Sequence, residues 1–226
     1  THFKSLVLRD NSLGQSGIDF ALKYLKSNRN LKDFSLHENP IECMMKIKQL
    51  CQIVEGHPSI ETLSLRGCRG EGVDGYEMLQ TILSAGKNKL KLVNLANNNI
   101  STGGDTFISD FLADNPMLKL LVLSGSELDD NDAIAIAIAL KHNTYLRSLD
   151  VRFNRKVTKA GWAALRKAEF DDTSLNSVAD SNHTCTIKYP VLQGLDIREM
   201  NGNSEYHFGP IYVRRKKVYS VLSSNN

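Results

Sequence analysis

These 226 residues contain no C-x-x-C pair, no G-x-x-x-x-G-K-[ST] loop and no long uninterrupted apolar run. The first absence argues against a zinc site, because Cys43, Cys51, Cys68 and Cys185 do not have the spacing of a metal knuckle. The second removes the phosphate cradle of nucleotide hydrolases. The third excludes a helical span, since stretches such as Ala133 to Leu140 fall far short of the ~20 apolar residues a bilayer requires. Gly14-Gln15-Ser16-Gly17 is not the G-x-S-x-G nucleophile elbow. The histidines, His2, His37, His57, His142, His183 and His207, show no metal-ligand spacing, and Asp129, Asp130 and Asp132 lack the glycine and glutamate of a calcium loop. No catalytic residue, cofactor or metal is therefore expected. An excess of one charge sign is also missing. The net charge is +3, which argues against nucleic acid as the partner. No secretory signal is visible, although the chain begins at Thr1 rather than Met and a lost targeting segment stays open. Unpaired cysteine usage fits a reducing compartment, so the expected location is intracellular and cytoplasmic, with an organelle left open.

What the sequence does contain is a repeat. Phe3, Leu6, Leu8, Asn11 and Leu13 set a pattern that recurs as Leu31, Phe34, Leu36, Asn39 and Ile41. It returns as Ile60, Leu63, Leu65 and Cys68, with Gly70 in the last aliphatic slot, then as Leu90, Val93, Leu95, Asn98 and Ile100. Leu118, Leu121, Leu123, Ser126 and Leu128 form the fifth copy. Leu146, Leu149, Val151 and Asn154 form the sixth, with Val157 one place late. Measured from Leu6, the steps are 28, 29, 30, 28 and 28 residues. A seventh, degenerate copy is expected at Leu175 and Val178.

Each L-x-L core alternates apolar and polar, which is the period of a short strand with one face inward. The Asn that follows has a side-chain amide able to bond loop backbone that no strand partner satisfies. Asn11, Asn39, Asn98 and Asn154 are expected to stack as a ladder, with Cys68 and the shorter Ser126 replacing Asn. The second half of each repeat reads as a helix. Ile18, Leu22 and Leu25 mark the first buried face, and Met45, Ile47, Leu50 and Val54 the second. Met78, Leu79 and Ile82 mark the third, and Phe107, Ile108, Phe111 and Leu112 the fourth. Ala133 to Leu140 is an Ala/Ile helix opened by three aspartates, and Lys159 to Lys167 packs through Trp162 and Leu165. Cys43 and Cys51 are expected as buried thiols on the second helix.

This length and these helical backs resemble the ribonuclease-inhibitor-like type of leucine-rich repeat. The resemblance covers about Thr1 to Val157 and implies an α/β solenoid. Strands pack ~4.8 Å apart and helices ~8–10 Å, so the array is expected to curve, with a parallel sheet on the concave face and helices on the convex face. The repeat array is expected over residues 1–170. Residues 171–226 are expected to hold the degenerate last repeat, a cap and a basic tail. Phe170 to Cys185 resembles the closing segment of leucine-rich repeat proteins of diatoms and related algae, and implies a cap. Arg214, Arg215, Lys216 and Lys217 read as a solvated helix face, with nucleic acid or an anionic membrane as the sharper alternatives.

The exposed sheet positions give the candidate site. Arg9, His37, Arg66 and Arg152 form an interrupted basic column. Leu92, Leu120 and Val122 form an apolar patch with Phe153 at its edge. An apolar patch rimmed by charge marks a partner site, unless Asp10 and Glu38 neutralise the arginines or the C-terminal segment covers the patch. The expected function is protein–protein interaction through this face. The alternatives are a regulator of a small GTPase, a substrate-recognition subunit of a ligase, or a structural subunit of a larger complex.

Overall fold

In a computed structural model of the protein, residues 3–190 and 210–224 are described. Short strands alternate with helices: β1 (Ser5–Val7), α1 (Gly14–Ser27), β2 (Asp33–Ser35), α2 (Met44–Gly56), β3 (Thr62–Ser64), α3 (Gly75–Gly86), β4 (Leu92–Asn94), α4 (Phe107–Ala113), β5 (Leu120–Val122), α5 (Asp130–Leu140), β6 (Ser148–Asp150), α6 (Lys159–Glu169), α7 (Leu175–Asp180), β7 (Thr186–Lys188) and α8 (Pro210–Ser224). The chain divides into two compact units. One comprises Thr1–Ser101 and Met117–Glu127, and the other Thr102–Pro116 and Leu128–Asn226.

In the first unit β1 to β5 pair in parallel and in chain order, and their register follows the repeat spacing. Leu6 pairs with Phe34, Phe34 with Leu63, Leu63 with Val93, and Val93 with Leu121. A three-residue strand sends its middle side chain inward, and Phe34, Leu63, Val93 and Leu121 are all buried. Each such side chain contributes about 2 kcal/mol of transfer free energy. Behind them α1 buries Ile18, Ala21, Leu22 and Leu25, and α2 buries Ile47, Leu50, Cys51 and Val54.

Three expected core residues lie elsewhere. Met45 is 69% exposed, because two helical steps turn it about 200° from Ile47. Cys43 is exposed at the N-terminal boundary of α2, while Cys51 is buried as expected. Phe3 is 73% exposed, since among the described residues β1 pairs with β2 alone and leaves Phe3 uncovered. Gly70 replaces an aliphatic because the Ile41 backbone fills the slot. A Cβ there would stand 2.6 Å from the Ile41 carbonyl oxygen, and Val73 is buried three residues on.

In the second unit α4 buries Ile108, Phe111 and Leu112. The three aspartates opening α5 all have partners. Asp129 and Asp132 form a reciprocal capping box. Asp132 also accepts from the Thr102 hydroxyl at 2.6 Å. Asp130 accepts from the Thr158 amide and hydroxyl and from the Gly161 amide, tying α5 to the start of α6. Those bonds, led by the Thr158 hydroxyl, hold the Asp130 carboxyl below its ordinary range.

The seventh strand is not at Leu175 and Val178. Residues 175–180 form α7, capped by Ser174. The strand paired with β6 is β7, where Leu149 meets Ile187. A helix-starting Ser174 and a separate Thr186-Ile187-Lys188 alternation explain the longer step. Arg214, Arg215 and Lys216 are exposed on α8, but Lys217 is not a solvated residue. It is 1% exposed, and its ammonium donates to the Glu169 and Asn182 carbonyls. Residues 191–209 of the expected cap lie outside the described residues.

Candidate partner-binding face

The loops that support the sheet face are fixed by the ladder residues. The Asn39 amide oxygen accepts from the Asn11 and Leu13 amides, and its nitrogen donates to Leu8, Leu36 and His37 carbonyls. Asn98 repeats this on Cys68, Arg69, Leu65, Leu95 and Ala96. Each Asn thus clamps the loop of the preceding repeat. Cys68 supplies the donor half alone: its thiol lies 2.9 Å from the Leu36 carbonyl, and its own backbone carbonyl accepts from Ile41. Burial pushes that thiol up to about 12. Asn154 accepts from the Leu128 amide and donates to the Val151 carbonyl. Ser126 was expected to make a weaker loop bond; its buried hydroxyl makes none. Asn11 is exposed at the sheet edge.

A second ladder runs along the helix ends. Asn28 donates to the Phe3 carbonyl, His57 to Asn28, Asn143 to Leu112, and Asn182 to Leu140 and Asn143. In the third repeat Lys89 takes the task, donating to the Val54 and His57 carbonyls. His57 is a buried ring whose Nδ1 accepts from the Ser59 and Ile60 amides, so its Nε2 carries the proton donated to Asn28. The signal that could have found this set is the repeat offset itself: Asn28 and His57 are separated by one repeat step.

One backbone position shapes the rim of the sheet. Asp10, Glu38, Gly67, Asn97, Gly125 and Phe153 follow the strands at equivalent places, and all have φ between 49° and 66°. Only glycine enters this region without cost. Two glycines also leave room for a neighbour. A Cβ at Gly67 would fall 2.1 Å from a Glu38 carboxylate oxygen, and one at Gly125 would fall 2.1 Å from the Asn97 amide oxygen. Phe153 occupies the strained position with a bulky ring that is 68% exposed.

The structure brings Arg9, His37 and Arg66 side by side in the first unit. The Asp10 amide bonds the His37 carbonyl, and the Glu38 amide bonds the Arg66 carbonyl, each at 2.9 Å. His37 is held below its ordinary value by burial first and by Arg9 and Arg66 next, against a smaller pull from Glu38. It also bonds the Ser64 hydroxyl. Arg66 pairs with Glu38 at 3.4 Å, as the neutralising alternative anticipated. Among the described residues, Arg9 has no carboxylate partner. Leu92 stands directly beside Leu120 in the register, and Val122 lies two residues along β5. All three are half-buried, beside small Ala96 and Gly125.

Arg152 and Phe153 belong to the second unit. Arg152 is gripped by both oxygens of the buried Asp150, at 3.0 and 2.8 Å, and its guanidinium lies 5.7 Å from the Phe153 ring centre. The Asp150 bonds raise its pKa further. Among the described residues, no group of three His, Cys, Asp or Glu side chains gathers to hold a metal, and no helix is long and apolar enough to cross a membrane. His2 and His207 lie outside the described residues.

No curated protein matches this chain. Residues 114–137 and 142–165 match the family described as Leucine Rich repeat. Those segments carry β5 with most of α5, and β6 with the first part of α6. Parallel strands that alternate with helices at the repeat spacing, together with this match, show the α/β fold of a leucine-rich repeat solenoid.

Proposed function

We propose that the chain is a recognition module whose exposed sheet face binds a protein partner. Leucine-rich repeats generally mediate protein–protein interaction and are typically not enzymes. The observation that carries the reading is the in-register pair Leu92 and Leu120 with Val122, half-exposed on a sheet face in the first unit. Apolar side chains held on short paired strands lose little entropy on docking, which favours an anchor there. Arg9, which has no carboxylate partner among the described residues, supplies a cation at the same face, whereas burial and then the neighbouring arginines hold His37 below its ordinary value. Phe153 is the second anchor, in the second unit. Its strained backbone supports a binding role, because strain of this kind persists where something is gained from the side chain.

A small-GTPase regulator would need an arginine able to swing toward a phosphate. Arg66 and Arg152 are held by Glu38 and Asp150, which weighs against that reading. The spacing of 28 to 30 residues supports the ribonuclease-inhibitor-like type. Four free cysteines, three of them buried, support an intracellular location.

The test is site-specific photocrosslinking in native cell extract. A photoreactive residue at Val122 should capture a protein that one at Lys23, on α1, does not. Leu92→Asp with Leu120→Asp should abolish that adduct while the fold persists. Phe153→Gly should relieve strain and raise stability, yet weaken capture. Adducts from Lys23 alone, or capture indifferent to the leucines, would overturn the proposal.

A further inference from the structure

The helical side of the second unit carries a surface that the sheet-face reading does not use. From Ala133 to Leu140 helix α5 has no polar side chain. Ala133, Ile136, Ala137, Ala139 and Leu140 are buried, but Ile138 is 61% and Ile134 40% exposed. Asn131, Ile134, Ile138 and Lys141 follow one another by three, four and three residues, and all four are exposed. That spacing is one outward stripe of a helix. A solvated helix normally carries charge there, and this one carries two isoleucines between an asparagine and a lysine.

The rims of the stripe carry opposite charge. Helix α4 packs against one side of α5, and α6 against the other. At and beside α4 the exposed charged residues are acidic: Asp105, Asp110 and Asp114. On α6 they are basic: Lys159, Arg166 and Lys167. An apolar centre with one acidic and one basic border is complementary to itself under a two-fold rotation.

The axis follows from the charges of the two rims, which outnumber the one Lys141 that the stripe itself carries. If it runs in the interface parallel to the helices, α4 of one copy lies over α6 of its partner, and acid meets base twice. If it runs across the helices, α4 lies over α4 and like charges repel. We propose that a second copy of this chain docks here in the first arrangement, with Ile134 and Ile138 against the same residues of the partner copy. This inference is independent of the sheet-face proposal.

Size sets the strength. Helix α5 has 11 residues, which makes it about 16 Å long. Three adjacent helices span about 28 Å. The footprint is therefore about 450 Å², below the ~800 Å² per partner of a standard stable interface. The dimer is weak, depends on concentration, and is loosened by salt through its charged rims.

Sedimentation equilibrium of the whole chain across a concentration series at low salt tests this. The mass should rise from 25.2 kDa toward twice that value. Ile138→Glu should weaken association at least about tenfold with unchanged circular dichroism, and Ile134→Lys should act alike without sharing any local effect of the first substitution. Asp110→Lys with Asp114→Lys should also weaken it. Adding Arg166→Glu and Lys167→Glu to that chain should restore it, because both borders are then reversed together. A chain that stays monomeric up to about 0.5 mM, where even a weak Kd would show, overturns the proposal. So does a dimer indifferent to the isoleucines, or one that the second reversal fails to rescue.

Discussion

Asn98 and Ser126 occupy the same place in adjacent repeats and do unequal work. Asn98 is buried and faces two amides and three carbonyls across two loops. Ser126 is equally enclosed, and its hydroxyl bonds nothing. Truncating Asn98 leaves several buried backbone groups without partners, and each costs on the order of 1 kcal/mol or more. Removing an unpaired buried hydroxyl costs almost nothing and can help. Urea denaturation should therefore show Asn98→Ala losing about 3 kcal/mol, while Ser126→Ala stays within about 0.5 kcal/mol of the parent. Equal losses would mean that the position matters for its volume and not for its amide. The ladder was legible in the sequence because one residue type recurs at one offset. The helix-end ladder was not, because asparagine, histidine and lysine share that task and no single letter repeats. The left-handed rim was hidden for the same reason. Asp10, Glu38 and Phe153 look like ordinary surface residues until their φ angles are known.

Helix α8 illustrates what local pattern reading misses. Four consecutive cations look alike in sequence, yet Lys217 alone points inward, where its ammonium closes the carbonyl ends of α6 and the α7 loop. Only the helix's placement against α7 decides which cation is buried, and no repeat arithmetic reaches it. The strands and first six helices were legible because their period is set by residues in contact with the next repeat. Leu175 to Asp180 was misread because two leucine-like positions at a plausible spacing do not reveal a capping serine's preference. The buried lysine has a pH signature. Burial pushes Lys217 from 10.5 down to about 8, with Glu169 opposing. His183 and Arg214 stand nearby, and burial first, then Lys217, hold His183 below its ordinary value. Between about pH 8 and 10.5 the unfolded chain holds this proton more firmly than the folded one, so the lysine's contribution to stability rises with pH there. Burial shifts other groups the opposite way: the Cys51 and Cys68 thiols to about 12, and Cys185 and Tyr189 upward. Those groups weaken the fold as pH climbs past their ordinary values, and they are common to parent and variant. The stability of the parent minus that of Lys217→Met should be flat between about pH 7 and 8, above the range in which His183 titrates, and increase up to about 10.5. A difference that is flat throughout would show that Lys217 is not buried as a cation.

A solenoid distributes its stability among neighbours, since each repeat contacts only the next. A repeat with one neighbour is held by half the interfaces of an inner one. In the first unit that repeat is β1 with α1, and its burial shows the consequence. Leu6 and Leu8 are half-buried and Phe3 and Val7 exposed, whereas Phe34, Leu36, Leu63 and Leu65 are wholly enclosed. Asn39 reaches back to the first loop, whereas Asn11 is exposed. Local opening needs little free energy where few apolar groups are exposed by it. Hydrogen exchange read by mass spectrometry should then follow an order. Peptides covering residues 4–27 should exchange first, those covering 33–56 later, and those covering 62–95 last. Residues 62–95 include the third and fourth strands, whose Leu92 carries the proposed anchor, so the slowest segment coincides with the binding surface. That coincidence matters for recognition, because an anchor on a rigid element gives up less entropy when it docks. Simultaneous exchange of all three segments would instead mean that the unit opens as one cooperative block. In that case the stiffness of the Leu92 and Leu120 surface would derive from the whole sheet and not from its inner position.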